Sequence, residues 1–103
     1  MLKEEKKARI TNCYRALLAQ VNYLDSIYAD KKDVKDLYEE LSILAFYIMQ
    51  EDYERIVKSI KEIKDLSQEI AELGVKNTDK TSDLNLILEE IKTHLDYVLL
   101  QYA

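Results

Sequence analysis

The stretch Ile43-Leu44-Ala45-Phe46-Tyr47-Ile48-Met49, followed by Gln50-Glu51-Asp52, decides how this chain folds. It is apolar all the way round a helix because two registers overlap in it. One register runs Val34, Leu37, Leu41, Leu44, Ile48, with spacings 3, 4, 3, 4. The other runs Phe46, Met49, Tyr53, Ile56, Ile60, Ile63, with spacings 3, 4, 3, 4, 3. Alternating steps of three and four hold side chains on one side of a helix. Two arrangements satisfy both stripes. Either the chain turns near Gln50-Glu51-Asp52 and both face one core, or a single long helix shows two apolar faces.

Helix lengths favour the turn. An unbroken helix from Val34 to Leu73 would span on the order of 60 Å, whereas the periodic parts of the first and last helices reach about 30 Å each. A break near Asp52 gives four segments of similar length, as a bundle needs. No Gly or Pro marks the turn, and such residues are the usual punctuation. Glu51–Arg55 and Glu54–Lys58 also have the i,i+4 spacing of favourable pairs that would carry a helix straight through. The expected fold is an all-α antiparallel four-helix bundle with helices near 3–29, 34–49, 52–73 and 83–102. The alternative is three helices with a long central one, dimerising.

Working outward, the first helix carries Ile10, Tyr14, Leu17, Val21, Leu24 and Tyr28, broadened by Leu18 and Ile27. Charged residues Asp30 to Asp33 interrupt that stripe, and Asp33 is expected to cap the second helix. Gly74 follows Leu73 and suits a left-handed helix end, with Val75 placed to touch Ile70. Residues 76–82 form the clearest loop, and Ser82 is expected to cap the last helix, with Asp83 in its first turn. That helix carries Leu84, Ile87, Ile91, Leu95, Val98 and Tyr102, with Leu88 and Leu99 widening the stripe. No internal repeat or low-complexity linker divides residues 1–103, so one helical domain is expected.

Composition agrees. The chain has 103 residues, enough for one core; 48% are hydrophobic and 34% charged, which excludes a disordered chain. With no Pro and one Gly, tight-turned β architectures are hard to build. The net charge of −5 disfavours nucleic acid, whose binders carry a basic surface. The only basic excess, Lys3, Lys6, Lys7 and Arg9, is diluted by Glu4 and Glu5. No apolar run is long enough for a signal peptide or a membrane span, so stable membrane insertion is not expected and a cytoplasmic location is.

Catalytic groups are scarce. Cys13 is the one cysteine, which excludes an intramolecular disulfide and a Cys-rich metal site. It lies beside the core stripe and reads as a small apolar filler. His94, the one histidine, follows Glu90 by four residues. Di-metal bundles instead require Glu-x-x-His on two helices, and here the residue three before His94 is Ile91. The paired acids Glu39-Glu40, Glu51-Asp52 and Glu89-Glu90 read as wet helix faces. Lys58, Lys61 and Lys64 among Glu54, Glu62 and Asp65 read as a face laced with salt bridges. Phosphate loops, nucleophile elbows and metalloprotease pairs are missing from the sequence. Neither enzymatic activity nor a cofactor or metal is expected.

Tyrosine is the unusual residue, eight of the nine aromatics. Tyr14, Tyr28, Tyr53 and Tyr102 fall on core stripes, while Tyr23, Tyr38, Tyr47 and Tyr97 fall off them. Tyrosine is enriched at protein interfaces because it joins a large rigid face to a polar tip. The expected function is therefore binding of another protein, in the manner of a regulator or inhibitor. The candidate contacts are Tyr23, Tyr38, Phe46, Tyr47, Met49 and Tyr97. Two alternatives are a homodimer or larger structural homo-oligomer joined through residues 43–49, and a bundle holding a small ligand or metal near His94.

A third alternative comes from a resemblance. In length, charge and helix plan the chain resembles the small cytoplasmic immunity proteins of Gram-positive bacteria, including the enterocin A type. The stretch Tyr23–Leu41, YLDSIYADKKDVKDLYEEL, is the part most suggestive of them. The resemblance implies protection against a bacteriocin or toxin. It rests on architecture and carries no family-specific motif, so it assigns no functional residue.

Overall fold

A computed structural model describes residues 3–27, 32–74 and 81–102 of the protein. Four helices follow one another: α1 (Glu4–Ile27), α2 (Lys32–Gln50), α3 (Tyr53–Gly74) and α4 (Thr81–Tyr102). Each packs against its neighbours in chain order, and α4 closes the ring on α1. The result is an antiparallel four-helix bundle measuring 45 × 20 × 19 Å. The chain therefore turns between α2 and α3, and the long central helix of the alternative arrangement is not formed.

The turn works without glycine. Glu51 takes the left-handed conformation, with φ 55°, the one positive φ among the described residues. The Glu51 amide donates to the Ile48 carbonyl at 3.1 Å and the Asp52 amide to the Tyr47 carbonyl at 3.2 Å. That pair of bonds is a Schellman cap, which satisfies carbonyls orphaned at the end of α2. Asp52 then starts α3. Its carbonyl accepts the Ile56 amide at 2.9 Å, and its Oδ1 accepts the Arg55 amide at 3.4 Å. A side-chain oxygen bonded to the third amide of a helix is an N-cap. Two residues thus end one helix and begin the next.

This geometry reroutes the charges expected to bridge a continuous helix. Glu51, at positive φ, pairs with Lys7 on the neighbouring α1 at 3.6 Å. Arg55 pairs with Asp52 at 3.4 Å instead of with Glu51. Lys64 likewise reaches Asp96 on α4 rather than an acid on its own helix.

The core is the sum of one stripe per helix. Ile10, Leu17, Val21 and Leu24 from α1 are buried with Val34, Leu37, Leu41 and Leu44 from α2. Ile56, Ile60, Ile63 and Ile70 from α3 meet Leu88, Ile91, Leu95 and Val98 from α4. Fully burying each such side chain contributes about 1.5–3 kcal/mol. Cys13 joins this cluster, while Tyr14, Leu18, Ile48, Ile87, Leu99 and Tyr102 pack against it half-buried. The two buried serine hydroxyls are satisfied: Ser59 donates to Glu40 at 3.1 Å and Ser67 to the Ile63 carbonyl at 2.8 Å.

Several local expectations need correction. The second register of the overlap is not a core stripe along its whole length. Ile56, Ile60 and Ile63 are buried, but Phe46, Met49 and Tyr53 are exposed. The turn at Glu51 resets the helical phase, so residues before and after it no longer share a face. Asp33 is not a cap, since α2 already begins at Lys32. It lies in the first turn, where a carboxylate suits the helix dipole. Helix α4 begins at Thr81, which puts Ser82 inside the helix instead of at its cap. Gly74 is the last residue of α3 rather than a left-handed residue beyond it; Tyr28, Asp30, Val75 and residues 76–80, expected to form a loop, lie outside the described residues.

Candidate interaction surface

Four of the six candidate contact residues sit on α2. Tyr38 is exposed on the side facing α1, close enough to Tyr14 to affect its ionisation. Phe46 and Met49 are exposed in the last two turns of α2, 56% and 83% respectively. Tyr47 is half-buried and packs against the core. Its ring lies 6.1 Å from that of Phe46, with the Arg55 guanidinium 5.7 Å from its centroid. That cation–π contact ties α2 to α3 across the turn. Tyr23 on α1 and Tyr97 on α4 are exposed on other helices. The six residues therefore do not make one patch. Phe46, Tyr47 and Met49 share the end of the bundle that carries the turn.

That end holds apolar surface that sequence periodicity assigned elsewhere or passed over. Tyr53, expected in the core, is half-exposed, and its ring packs 5.8 Å from that of Tyr102. Val57 and Leu100 are exposed there as well, whereas Ile43 lies midway along α2 and Leu86 is exposed near the start of α4, at the opposite end. The signal for Val57 and Leu100 was their position: each follows a stripe residue directly and so points off the stripe. Between α1 and the ends of α2 and α4 lies a cavity of about 210 Å³, lined by Lys7, Ile10, Thr11, Ile48, Met49, Glu51 and Tyr102. The Tyr102 hydroxyl is buried there without a hydrogen-bond partner. Burial, with the Glu51 charge adding to it, raises its pKa above the ordinary tyrosine value.

Cys13 and Glu90 are occupied otherwise. Burial raises the Cys13 thiol pKa, opposite to what a nucleophilic cysteine needs. Glu90 does not turn to His94; its Oε2 accepts a bond of 2.8 Å from Gln20 Nε2 on α1. His94 is half-buried with Nδ1 unpartnered. Among the described residues no group of three or more His, Cys, Asp or Glu side chains is placed to hold a metal. No described helix is long and apolar enough to cross a membrane.

In comparisons with known proteins, no family model, no curated protein and no solved structure matches the chain. What the molecule offers to a functional reading is therefore its own surface: a small all-helical bundle with Phe46, Met49, Tyr53, Val57 and Leu100 exposed towards the turn end.

Proposed function

We propose that this protein is a non-enzymatic cytoplasmic binding module that recognises another protein with the turn end of its bundle. Phe46 and Met49 lead the contact, supported by Tyr53 and by Tyr38 further along α2. The observation that carries the reading is the exposure of Met49 and Phe46 while Leu41 and Leu44 on the same helix are fully buried. A side chain that adds nothing to the core but presents a large apolar face is what protein interfaces use as an anchor. Tyr23 and Tyr97 would serve a contact on the α1–α4 side.

Site-specific photo-cross-linking in cells tests this. A photoreactive phenylalanine at position 46 or 49 should trap the same discrete adduct, and none should form from position 62 or 65 on α3. No adduct from 46 and 49, or the same adducts from all four positions, would overturn the reading. The immunity-protein reading is a second proposal, supported by the four-helix plan on which that resemblance rests. It requires that expression of the chain protect a bacteriocin-sensitive strain, and unchanged sensitivity across a bacteriocin panel would reject it.

A further inference from the structure

We infer that the partner at the turn end is a second copy of this chain, joined by opening the α2–α3 turn into one continuous helix and exchanging helix pairs. The inference rests on the reading that this end is a protein-binding surface, and names its occupant. Two independent observations support it.

The first is the hinge. Glu51 holds a left-handed φ of 55° in a two-residue turn, a conformation that disfavours any residue with a Cβ. The flanking sequence from Ile43 to Leu73 contains neither Gly nor Pro, so nothing in it opposes a straight helix. In the straight form Glu51 would regain ordinary helical φ and the favourable i,i+4 spacing to Arg55. Short, strained connections are the ones that exchange domains between copies.

The second is the register. Phe46, Met49, Tyr53, Ile56, Ile60 and Ile63 are spaced 3, 4, 3, 4, 3 straight across the turn. In the closed bundle the turn cuts this seam: the last three are buried and the first three exposed. A straight helix would restore the seam and place Phe46, Met49 and Tyr53 on the same face as the core isoleucines. The α1–α2 pair of one copy would then pack on the α3–α4 pair of the other. The core contacts are those already seen, and the exposed row becomes buried at the junction of the two bundles.

The test is refolding of the full chain at millimolar concentration, followed by size-exclusion chromatography with light scattering. Wild type should yield a dimer that persists after dilution, because exchange back requires unfolding. Isotope-filtered NOEs within that dimer should place α2–α3 core methyl contacts between copies. Glu51→Ala, which also loses the Lys7 pair, should dimerise at least as well. Glu51→Gly relieves the closed turn and weakens the straight helix, each shifting one hinge by about fivefold. With two hinges, its dimer constant should fall on the order of several hundredfold. Glu51→Asn, which tolerates left-handed φ, should shift in the direction of Gly. A monomer in every case, a dimer that falls apart at once on dilution, intramolecular α2–α3 NOEs, or equal dimer yields from Gly and Ala would each overturn the exchange. An adduct from positions 46 and 49 to a different protein would overturn it too, while leaving the binding surface itself intact.

Discussion

Replacing Glu51 by Gly should stabilise the monomer, although glycine in the middle of helical sequence ordinarily does the reverse. Glu51 is the residue with positive φ at the end of α2. A Cβ in that conformation costs roughly 1–2 kcal/mol, and Gly removes that cost. Against it stand the greater freedom of Gly in the unfolded chain, about 0.5–1 kcal/mol, and the loss of the pair with Lys7. That pair is 3.6 Å long between partly exposed side chains, so it contributes only about 0–1 kcal/mol. The net gain expected is roughly 0.5 kcal/mol, or about 2–4 °C in Tm for a domain of this size. Lys7→Met in both backgrounds removes the ion pair from the comparison and should raise the gain from Gly to about 1 kcal/mol. Glu51→Val, β-branched and intolerant of left-handed φ, should lose about 1 kcal/mol or more. Urea titration at micromolar concentration, where the monomer dominates, reads all of these directly. Were helix to run unbroken through this position, Gly would instead lose about 1 kcal/mol relative to a good helix former, and Val would be nearly harmless. That ordering would refute the turn.

Asp52→Ala should lose about 1 kcal/mol by removing the N-cap of α3, while Asp52→Asn keeps an oxygen for the Arg55 amide and should lose only a few tenths, as read by urea midpoints. Tyr14 donates from its hydroxyl to the Leu41 carbonyl at 3.1 Å, so Tyr14→Phe should cost about 1 kcal/mol. The Tyr102 hydroxyl is buried and unpartnered, so Tyr102→Phe should be neutral or stabilising. Both phenols have raised pKa values, chiefly through burial, with Tyr38 and Glu51 respectively adding to it. A raised pKa means the folded state holds the proton more tightly. The stability it contributes is complete below the unfolded tyrosine value near pH 10 and is lost as pH rises through the folded values. Melting curves from pH 8 to 11 should therefore fall at the alkaline end, and less steeply in the double Phe variant.

The bundle was legible because three stripes are clean. Leu17, Val21 and Leu24, Leu37, Leu41 and Leu44, and Ile91, Leu95 and Val98 are all buried as their spacing requires. The turn was legible only through helix length, since Glu51 supplies with backbone strain what Gly usually supplies without it. Asp52 reads with Glu51 as a wet helix face, because an acid beside another acid suits an exposed helix as well as a cap. Tyr53 was misplaced for a related reason: periodicity cannot see that helical phase restarts at Asp52. The interaction surface was partly legible. Phe46 and Met49 stand out as part of a second stripe beside the first, although the turn is expected to bring both stripes to one core. Tyr47 reads in sequence as free to bind, yet the structure uses its ring against the core and under Arg55. Leu86 and Leu100 carried no signal beyond lying off a stripe already full.

Leu44 and Phe46 are two residues apart in the apolar stretch that admits both arrangements, and they give the most direct test of the account. Leu44 is fully buried and Phe46 is 56% exposed. Leu44→Ala should lose about 2–5 kcal/mol, whereas Phe46→Ala should stay within about 0.5 kcal/mol of wild type. Equilibrium unfolding of the two variants under monomeric conditions decides it. Equal losses, or a larger loss at Phe46, would mean that the presented row is packed in the folded monomer and that the turn end is no binding surface.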